Sequence, residues 1–161
     1  MKLPAFGKIR NHVQVIHVAC MGSLVALGAT CWALYGKVDS KDFPVTGPLL
    51  VIGAFLSVSA VGIAAILPKF SPGRRPDAPL PMRVSSVYLM HVMSAALIET
   101  AGLYWGALVM ILGQPAYLVG PMLALVVLGA WFPTQSRIEE QLGMTEVQYD
   151  AALERANETS P

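Results

Sequence analysis

Charged residues are scarce in this sequence, and their scarcity argues against a soluble fold. Only 13% of the 161 residues are Asp, Glu, Lys or Arg, while 55% are hydrophobic. Soluble domains average about 25% charged residues, and the apolar runs here approach the roughly 20 residues that cross a bilayer. The formal net charge of +1 does not indicate the strongly basic surface that binds nucleic acid. The composition therefore predicts an integral membrane protein that binds lipid and no nucleic acid.

The motifs of common catalytic and metal sites are also missing. The sequence has no His-Glu-x-x-His, no glycine-rich phosphate loop and no Cys/His metal spacing. Cys20 and Cys31 share one apolar run and lie about 16 Å apart along a helix, too far for a disulfide within it. We therefore expect a protein that is not an enzyme and holds no metal, in which both cysteines pack as small apolar residues.

Four apolar runs predict an all-α fold, a four-helix transmembrane bundle. The first run is too long for the apolar region of a cleavable signal peptide, so we expect it to be retained. The third is about 45 Å long as a helix and must tilt or protrude. The predicted transmembrane domain covers residues 1–133, with spans at about 13–35, 48–67, 84–113 and 116–132, and a polar acidic tail follows at 134–161.

Lysine and arginine positions predict the orientation. The N-terminal arm carries three of them and the 68–83 loop carries four, whereas the loop between the third and fourth spans carries none. The positive-inside rule then places both termini in the cytoplasm, an N-in/C-in topology. We expect the tail to form one or two short cytoplasmic helices, with Thr145 and Gln148 forming a capping box at the second.

One carboxylate stands alone inside the third run. Glu99 is its only formally charged side chain, and such a group usually faces protein or water because lipid is costly for it. On a helical wheel Ala95, Gly102 and Gly106 lie within about 60° of Glu99, and the Gly-x-x-x-Gly pair favours close helix contact. Two interpretations stay open: a neutral Glu99 joins helices by a hydrogen bond, or Glu99 carries a proton or sodium ion.

Two histidines form another candidate site. His17 lies about four residues into the first span and His91 about seven into the third. Both spans start from the same side, so the two rings are expected within about 5 Å of the same depth. Paired histidines on facing helices can ligate haem b, which makes electron transfer one interpretation. The other is hydrogen bonding to backbone or lipid headgroups.

The 68–83 loop contains five prolines and four basic residues. Prolines at this density predict an extended path without helix. Arg74, Arg75 and Arg83 are expected to contact anionic headgroups or a soluble partner. The tail carries Ile138, Leu142 and Val147, which need an apolar surface to cover them.

Two short motifs carry a resemblance to a family. They are Ala96-Leu97-Ile98-Glu99 in the third span and Trp131-Phe132-Pro133-Thr134-Gln135-Ser136-Arg137-Ile138 at the end of the fourth. Together they resemble small bacterial four-span membrane proteins of unknown function. The resemblance implies a four-span protein of the bacterial cytoplasmic (inner) membrane, and it implies no activity.

A second resemblance is confined to about 35 residues. Arg74-Arg75-Pro76-Asp77 and Met82-Arg83, followed by the segment from Ala96 to Tyr104, resemble the second half of a rotary ATPase proteolipid (c-subunit) hairpin. In that family a polar arginine-containing loop precedes a helix with an ion-binding carboxylate. The resemblance implies that role for Glu99. The preceding span departs from the family because it lacks a dense glycine repeat.

These observations favour a non-enzymatic accessory or interaction subunit of a larger membrane complex. We expect it to pack against other subunits through the small residues of the second and third spans. Soluble partners are expected at the 68–83 loop and the 134–161 tail. Proton or sodium translocation by Glu99 is the alternative, and haem b electron transfer by His17 and His91 is a third. In the second span the small residues are Gly53, Ser57, Ala60 and Ala64.

Overall fold

A computed structural model describes residues 3–34, 47–70, 75 and 77–158, and within these ranges every regular element is a helix. Three helices are long and apolar enough to cross a membrane, and a bent pair of shorter helices raises the number to four if it is one span. The lengths and composition indicate an integral membrane protein. The helices are α1 (Phe6–Leu34), α2 (Gly47–Ile66), α3 (Leu80–Leu112), α4 (Val119–Ala130), α5 (Gln135–Leu142) and α6 (Glu146–Glu158).

The fourth predicted span is short in the structure. α4 has 12 residues and follows a 3₁₀ turn, Pro115–Leu118. The turn and α4 together reach about 26 Å, somewhat less than the roughly 30 Å of a bilayer core. The chain then bends by 68° into α5. The bend directs the C-terminal helices across the end of the longer helices.

The prediction that prolines keep residues 68–83 free of helix is wrong at both ends. Pro68 lies in a 3₁₀ turn, Leu67–Phe70, and α3 begins at Leu80. Pro79 is the N-cap of α3 and Pro81 lies in its first turn. The first N–H groups of a helix have no partner within the helix, so proline removes no hydrogen bond there. Position, rather than the number of prolines, decides where this helix starts.

α3 is the central helix of the protein. It contacts α1, α2 and α4, and α1 also contacts α4. Of the 33 residues of α3, 15 are buried, whereas α2 buries 3 of its 20. Because lipid is as apolar as these side chains, close packing against α3, rather than escape from water, is what holds the helices together in a membrane.

The buried side chains form three layers along α3. We name them the tail layer, the middle layer and the far layer. Alanines make up half of the middle layer, which lets the helices approach closely there. The tail layer contains Phe6, Ile9, Val13, Val84, Val87, Ile138, Leu142 and Tyr149; the middle layer contains Leu24, Ala64, Ala95, Ile98, Ala124 and Leu128; the far layer contains Cys31, Leu108, Val109, Leu112 and Tyr117.

The C-terminal helices are hydrogen-bonded to the start of α1. The Tyr149 hydroxyl donates to the Pro4 carbonyl at 2.8 Å, and the Phe6 N–H donates to Asp150 Oδ1 at 3.4 Å. A carboxylate at a helix N-terminus partners unpaired N–H groups and the positive end of the helix dipole. The two ends of the chain therefore meet at the tail layer.

The prediction for the tail is confirmed in part. α5 and α6 are both helices, and Thr145 and Gln148 form the expected capping box: the Thr145 N–H donates to Gln148 Oε1 and the Gln148 N–H donates to Thr145 Oγ1. Ile138 is buried as expected, but Val147 is 78% exposed. Tyr149, which is fully buried, supplies the apolar contact of α6 instead.

Tyr149→Ala is expected to release α6 from α1. The substitution leaves a cavity in the tail layer and removes the bond to Pro4, so the free energy of docking should fall by about 3–5 kcal/mol. Hydrogen exchange of the α6 amides measures this. Val147→Ala is the matched control on the exposed side of the same helix. Equal exchange in the two variants would contradict the structure.

The docking of α6 should also weaken in alkali. Burial, with a smaller contribution from Asp150, raises the pKa of Tyr149 from 10.0 to about 12. The folded state therefore favours the protonated phenol. The buried, protonated Tyr149 stabilises the docked α6 fully below pH 10, and this stabilisation is lost as the pH rises from 10 to 12. Tyr149→Phe should remove this dependence, which a pH series of α6 hydrogen exchange, corrected for intrinsic rates, would reveal.

Candidate functional site

Glu99 lies near the middle of α3 and is hydrogen-bonded to α1. The Ser23 hydroxyl donates to Glu99 Oε1, and Ser23 Oγ also lies 2.8 Å from the Cys20 carbonyl oxygen. One interpretation of the sequence has Glu99 join helices by a hydrogen bond, and Ser23 on α1 is its partner in the structure. The carboxyl therefore joins the two longest helices of the protein.

The bonds made by Ser23 depend on the charge of Glu99. A hydroxyl has a single hydrogen, and Ser23 Oγ lies beside two acceptors. An ionised Glu99 takes that hydrogen and leaves the Cys20 carbonyl without it. A neutral Glu99 donates its own hydrogen to Ser23 Oγ, and Ser23 then donates to Cys20. The neutral carboxyl thus satisfies both contacts at once.

The sequence analysis did not name Ser23, although the spacing between His17 and His91 predicts which part of α1 lies beside Glu99. α1 and α3 pair with a nearly constant offset: His12 meets Tyr88 and Ser23 meets Glu99, both 76 residues apart. His17 and His91, which the sequence placed at one depth, are 74 apart. That offset places Glu99 opposite residue 25, and Ser23 is the hydroxyl nearest to it in the sequence.

Glu99 is only partly buried, because it lies at the edge of the α1–α3 contact. On α3, buried Gly102 lies to one side of Glu99 on the helical wheel, and exposed Leu103 to the other. On α1, Ser23 likewise separates buried Leu24 from an exposed stripe. We call the two exposed stripes beside this seam the open face. It consists of Ala19, Ala26 and Thr30 on α1 and Ala96, Thr100 and Leu103 on α3.

The small residues beside Glu99 pack inside the chain. A Cβ at Gly102 would lie 2.7 Å from Leu24 and 2.9 Å from a methyl carbon on α4, and a Cβ at Gly106 would lie 2.2 Å from Leu27. Ala95 is fully buried in the middle layer. These glycines therefore allow α1 and α4 to approach α3, and their surface is covered without a second subunit.

The small residues of α2 are also used within the chain. A Cβ at Gly53 would lie 2.7 Å from the Trp105 ring, and Trp105 Nε1 donates to Ser57 Oγ at 2.8 Å. Ala60 and Ala64 are buried. The expectation that the small residues of the second and third spans bind other subunits is therefore corrected: those of α3 pack against α1 and α4, and those of α2 face α3.

His17 and His91 are in contact. Their ring centroids are 5.4 Å apart with a 72° interplanar angle, and the rings are only 1% and 4% exposed. Phe132 packs edge-on against His17 at 6.1 Å. The predicted common depth is confirmed, and both rings lie inside the protein rather than on its outer surface.

The histidine pair does not fit haem b. A haem held by both rings needs its iron and porphyrin between them, with each ligating nitrogen about 2 Å from the metal. Here the edge of one ring meets the other directly, which leaves no layer for a porphyrin. His17 Nδ1 also lies 3.3 Å from the Val13 carbonyl, a bond within its own helix. No electron-transfer role follows from this geometry.

The three arginines of the proline-rich loop have different surroundings. Arg74 lies outside the described residues, and Arg75 is exposed, as a headgroup or partner contact requires. Arg83 is buried, and its guanidinium donates to the carbonyls of Ala78 at 3.0 Å and Leu142 at 3.1 Å. The prediction for Arg83 is therefore wrong: it binds the carbonyl end of α5, which has no partner within that helix.

These features define the class of protein: a helical integral membrane protein with an intramembrane carboxyl between two of its helices. Within the described ranges, no group of three or more metal-ligating side chains occurs. No protein-family model, curated protein or solved structure matches this chain.

Ser23→Ala should destabilise the α1–α3 contact. Interhelical hydrogen bonds in membranes contribute about 0.6–1.7 kcal/mol, so the free energy of unfolding in mixed micelles should fall by that amount. Glu99→Gln should keep the wild-type value, because its amide donates to Ser23 as the neutral acid does. Thr30→Ala, on the same helix but bonded only to its own backbone, is the control. A loss in Glu99→Gln equal to that in Ser23→Ala would show that the ionised form is required.

Proposed function

We propose that this protein is a non-enzymatic subunit of a larger membrane complex, and that the open face binds a transmembrane helix of another subunit. One observation carries the proposal: Glu99 is partly exposed at the edge of a lipid-facing surface, with Ser23 as its hydrogen-bond partner. An ionisable group beside lipid is costly and almost always faces protein or water. A second helix over this seam removes that cost.

The shape of the open face supports a helix as its partner. Ala19, Ala26 and Ala96 are small, and a Cβ at nearby Gly22 would meet no atom within 4 Å. Small side chains let the backbones of two helices approach closely, which is how transmembrane helices gain contact energy. The small-residue stripes of α2 and α3 are occupied within the chain, so we assign this role to the open face, which adjoins Glu99.

The proposed setting is the bacterial inner membrane, with a four-helix transmembrane bundle and both termini in the cytoplasm. The basic N-terminal arm and the 68–83 loop support this orientation. Exposed Arg75 is available to anionic headgroups or to a soluble partner. Since α5 and α6 use their apolar sides against α1 and α3, a soluble partner of the tail would bind its polar outer surface.

Ala26→Trp should weaken assembly, because a large ring on the open face keeps another helix at a distance. We expect the high-mass species to decrease at least tenfold in native mass spectrometry of protein gently solubilised from its own membrane. Val126→Trp is the matched control, since Val126 is 67% exposed on α4. A wild-type protein that is only monomeric would contradict the proposal, as would equal effects of both variants.

Proton or sodium translocation by Glu99 is the second candidate function. The Ser23–Glu99 pair supports it, because a carboxyl bonded to a hydroxyl is able to exchange a proton. Carbodiimide labelling of Glu99 and ion flux in proteoliposomes test this role. If Glu99→Gln abolishes flux while assembly is kept, translocation is the function. If flux is absent in wild type and variant alike, this candidate fails.

A further inference from the structure

A small polar cavity lies where α3, α4 and α5 meet the end of α2. Its volume is about 160 Å³, room for roughly five water molecules or one small polar group. Trp131 follows α4 directly, and Pro68 lies in the 3₁₀ turn that follows α2. The lining residues are Pro68, His91, Trp131, Arg137, Glu140 and Gln141.

Two buried polar atoms at this cavity lack hydrogen bonds. The His91 imidazole faces the Gln141 amide, but among the described residues neither His91 Nε2 nor Gln141 Oε1 has a partner of normal geometry. His91 is only 4% exposed. A buried polar atom without a partner costs about 1–3 kcal/mol, so a polar occupant of the cavity would be stabilised by both atoms.

An apolar groove of about 620 Å³ lies nearby, between α2 and α4 and in front of α3. This volume is within the roughly 300–1,000 Å³ of small-molecule sites. Ala54 and Val61 of α2, Ile98 and Ala101 of α3 and Val127 of α4 are among its lining residues. The groove is on the opposite side of α3 from the open face, since Ala101 lies about 160° from Glu99 on the helical wheel.

The groove and the polar cavity are in line. Val127 of α4 lines the groove, and Trp131, the C-cap of α4, lines the cavity about one turn or 6 Å further along the helix axis. On α3, Ile98 and His91 are about 10 Å apart along the axis in the same order. An apolar space inside the membrane thus ends near a polar space at the tail end of the helices.

We propose that the groove and the cavity together bind one phospholipid, with an acyl chain in the groove and the headgroup in the cavity. Arg137 is the cationic side chain beside the cavity. One of its nitrogens donates to the Ala130 and Phe132 carbonyls, and a guanidinium has five N–H donors, a geometry that suits phosphate. The lipid phosphate binds Arg137 and accepts from His91.

The headgroup also carries a hydrogen-bond donor. Gln141 Oε1 is an acceptor without a partner, so the group that reaches it supplies an N–H or an O–H. An ethanolamine ammonium or a glycerol hydroxyl meets this need, whereas a choline headgroup has neither. The site therefore prefers phosphatidylethanolamine or phosphatidylglycerol over phosphatidylcholine.

Native mass spectrometry of the full chain in mild detergent, titrated with each of these lipids, tests the proposal. We expect one retained lipid, bound at least tenfold more tightly when its headgroup is ethanolamine or glycerol than when it is choline. Arg137→Gln and Gln141→Leu should each weaken binding of the preferred lipid at least fivefold. Equal affinity for all three headgroups, or no retained lipid, would overturn the proposal.

A substitution that fills the groove distinguishes lipid binding at this site from non-specific lipid contact elsewhere on the protein. Gly62 lines the groove and has open space around it, so Gly62→Leu should fold normally and lower lipid affinity at least tenfold. Gly129→Leu is the matched control, because Gly129 also has open space but does not line the groove. Circular dichroism confirms folding of both. Unchanged affinity in Gly62→Leu would overturn the role of the groove.

A third arm distinguishes a lipid headgroup from free phosphate. Isothermal titration calorimetry of delipidated wild-type protein measures the binding of inorganic phosphate and of the preferred lipid. The lipid should bind at least a hundredfold more tightly than phosphate, since the groove holds its chain. Comparable affinities would show a phosphate site alone and would overturn the proposal.

Discussion

The close packing of α1 and α4 against α3 is the constraint on which the rest of the structure depends. Gly102 and Gly106 leave no room for a Cβ beside Leu24 and Leu27, so α1 and α3 can approach closely only because these residues are glycines. That contact sets one register along both helices. The same register brings His17 to His91 and Ser23 to Glu99.

The two sides of α3 have different chemistry as a result. On one side the α1–α3 seam leaves a carboxyl at the edge of a surface of small residues, which suits another transmembrane helix. On the other side α2 and α4 both pack on α3 and leave an apolar groove between them that ends near a polar cavity. Neither feature belongs to a single helix, since each depends on two helices packing against a third.

The sequence predicted the long helices and the depth of the histidines well, because apolar length and helical rise are local properties. It also predicted the Thr145–Gln148 capping box, which involves residues three apart. It was wrong for Arg83 and Val147 and did not name Tyr149, because burial of Arg83 and Tyr149 depends on α5 and α6 folding back onto α1 and α3. Proline content misled the prediction for residues 80–83, because Pro79 and Pro81 fall where a helix accepts them.

By itself the sequence determined that the chain is helical, apolar enough for a membrane and equipped with a single carboxyl in its third apolar run. Those properties follow from composition and from spacing along one helix. Only the tertiary structure decided which glycines are covered, that Ser23 is the partner of Glu99, and which surfaces remain open. The physical reason is that a helical wheel gives the faces of one helix, whereas the neighbour that each face meets depends on how all the helices pack together.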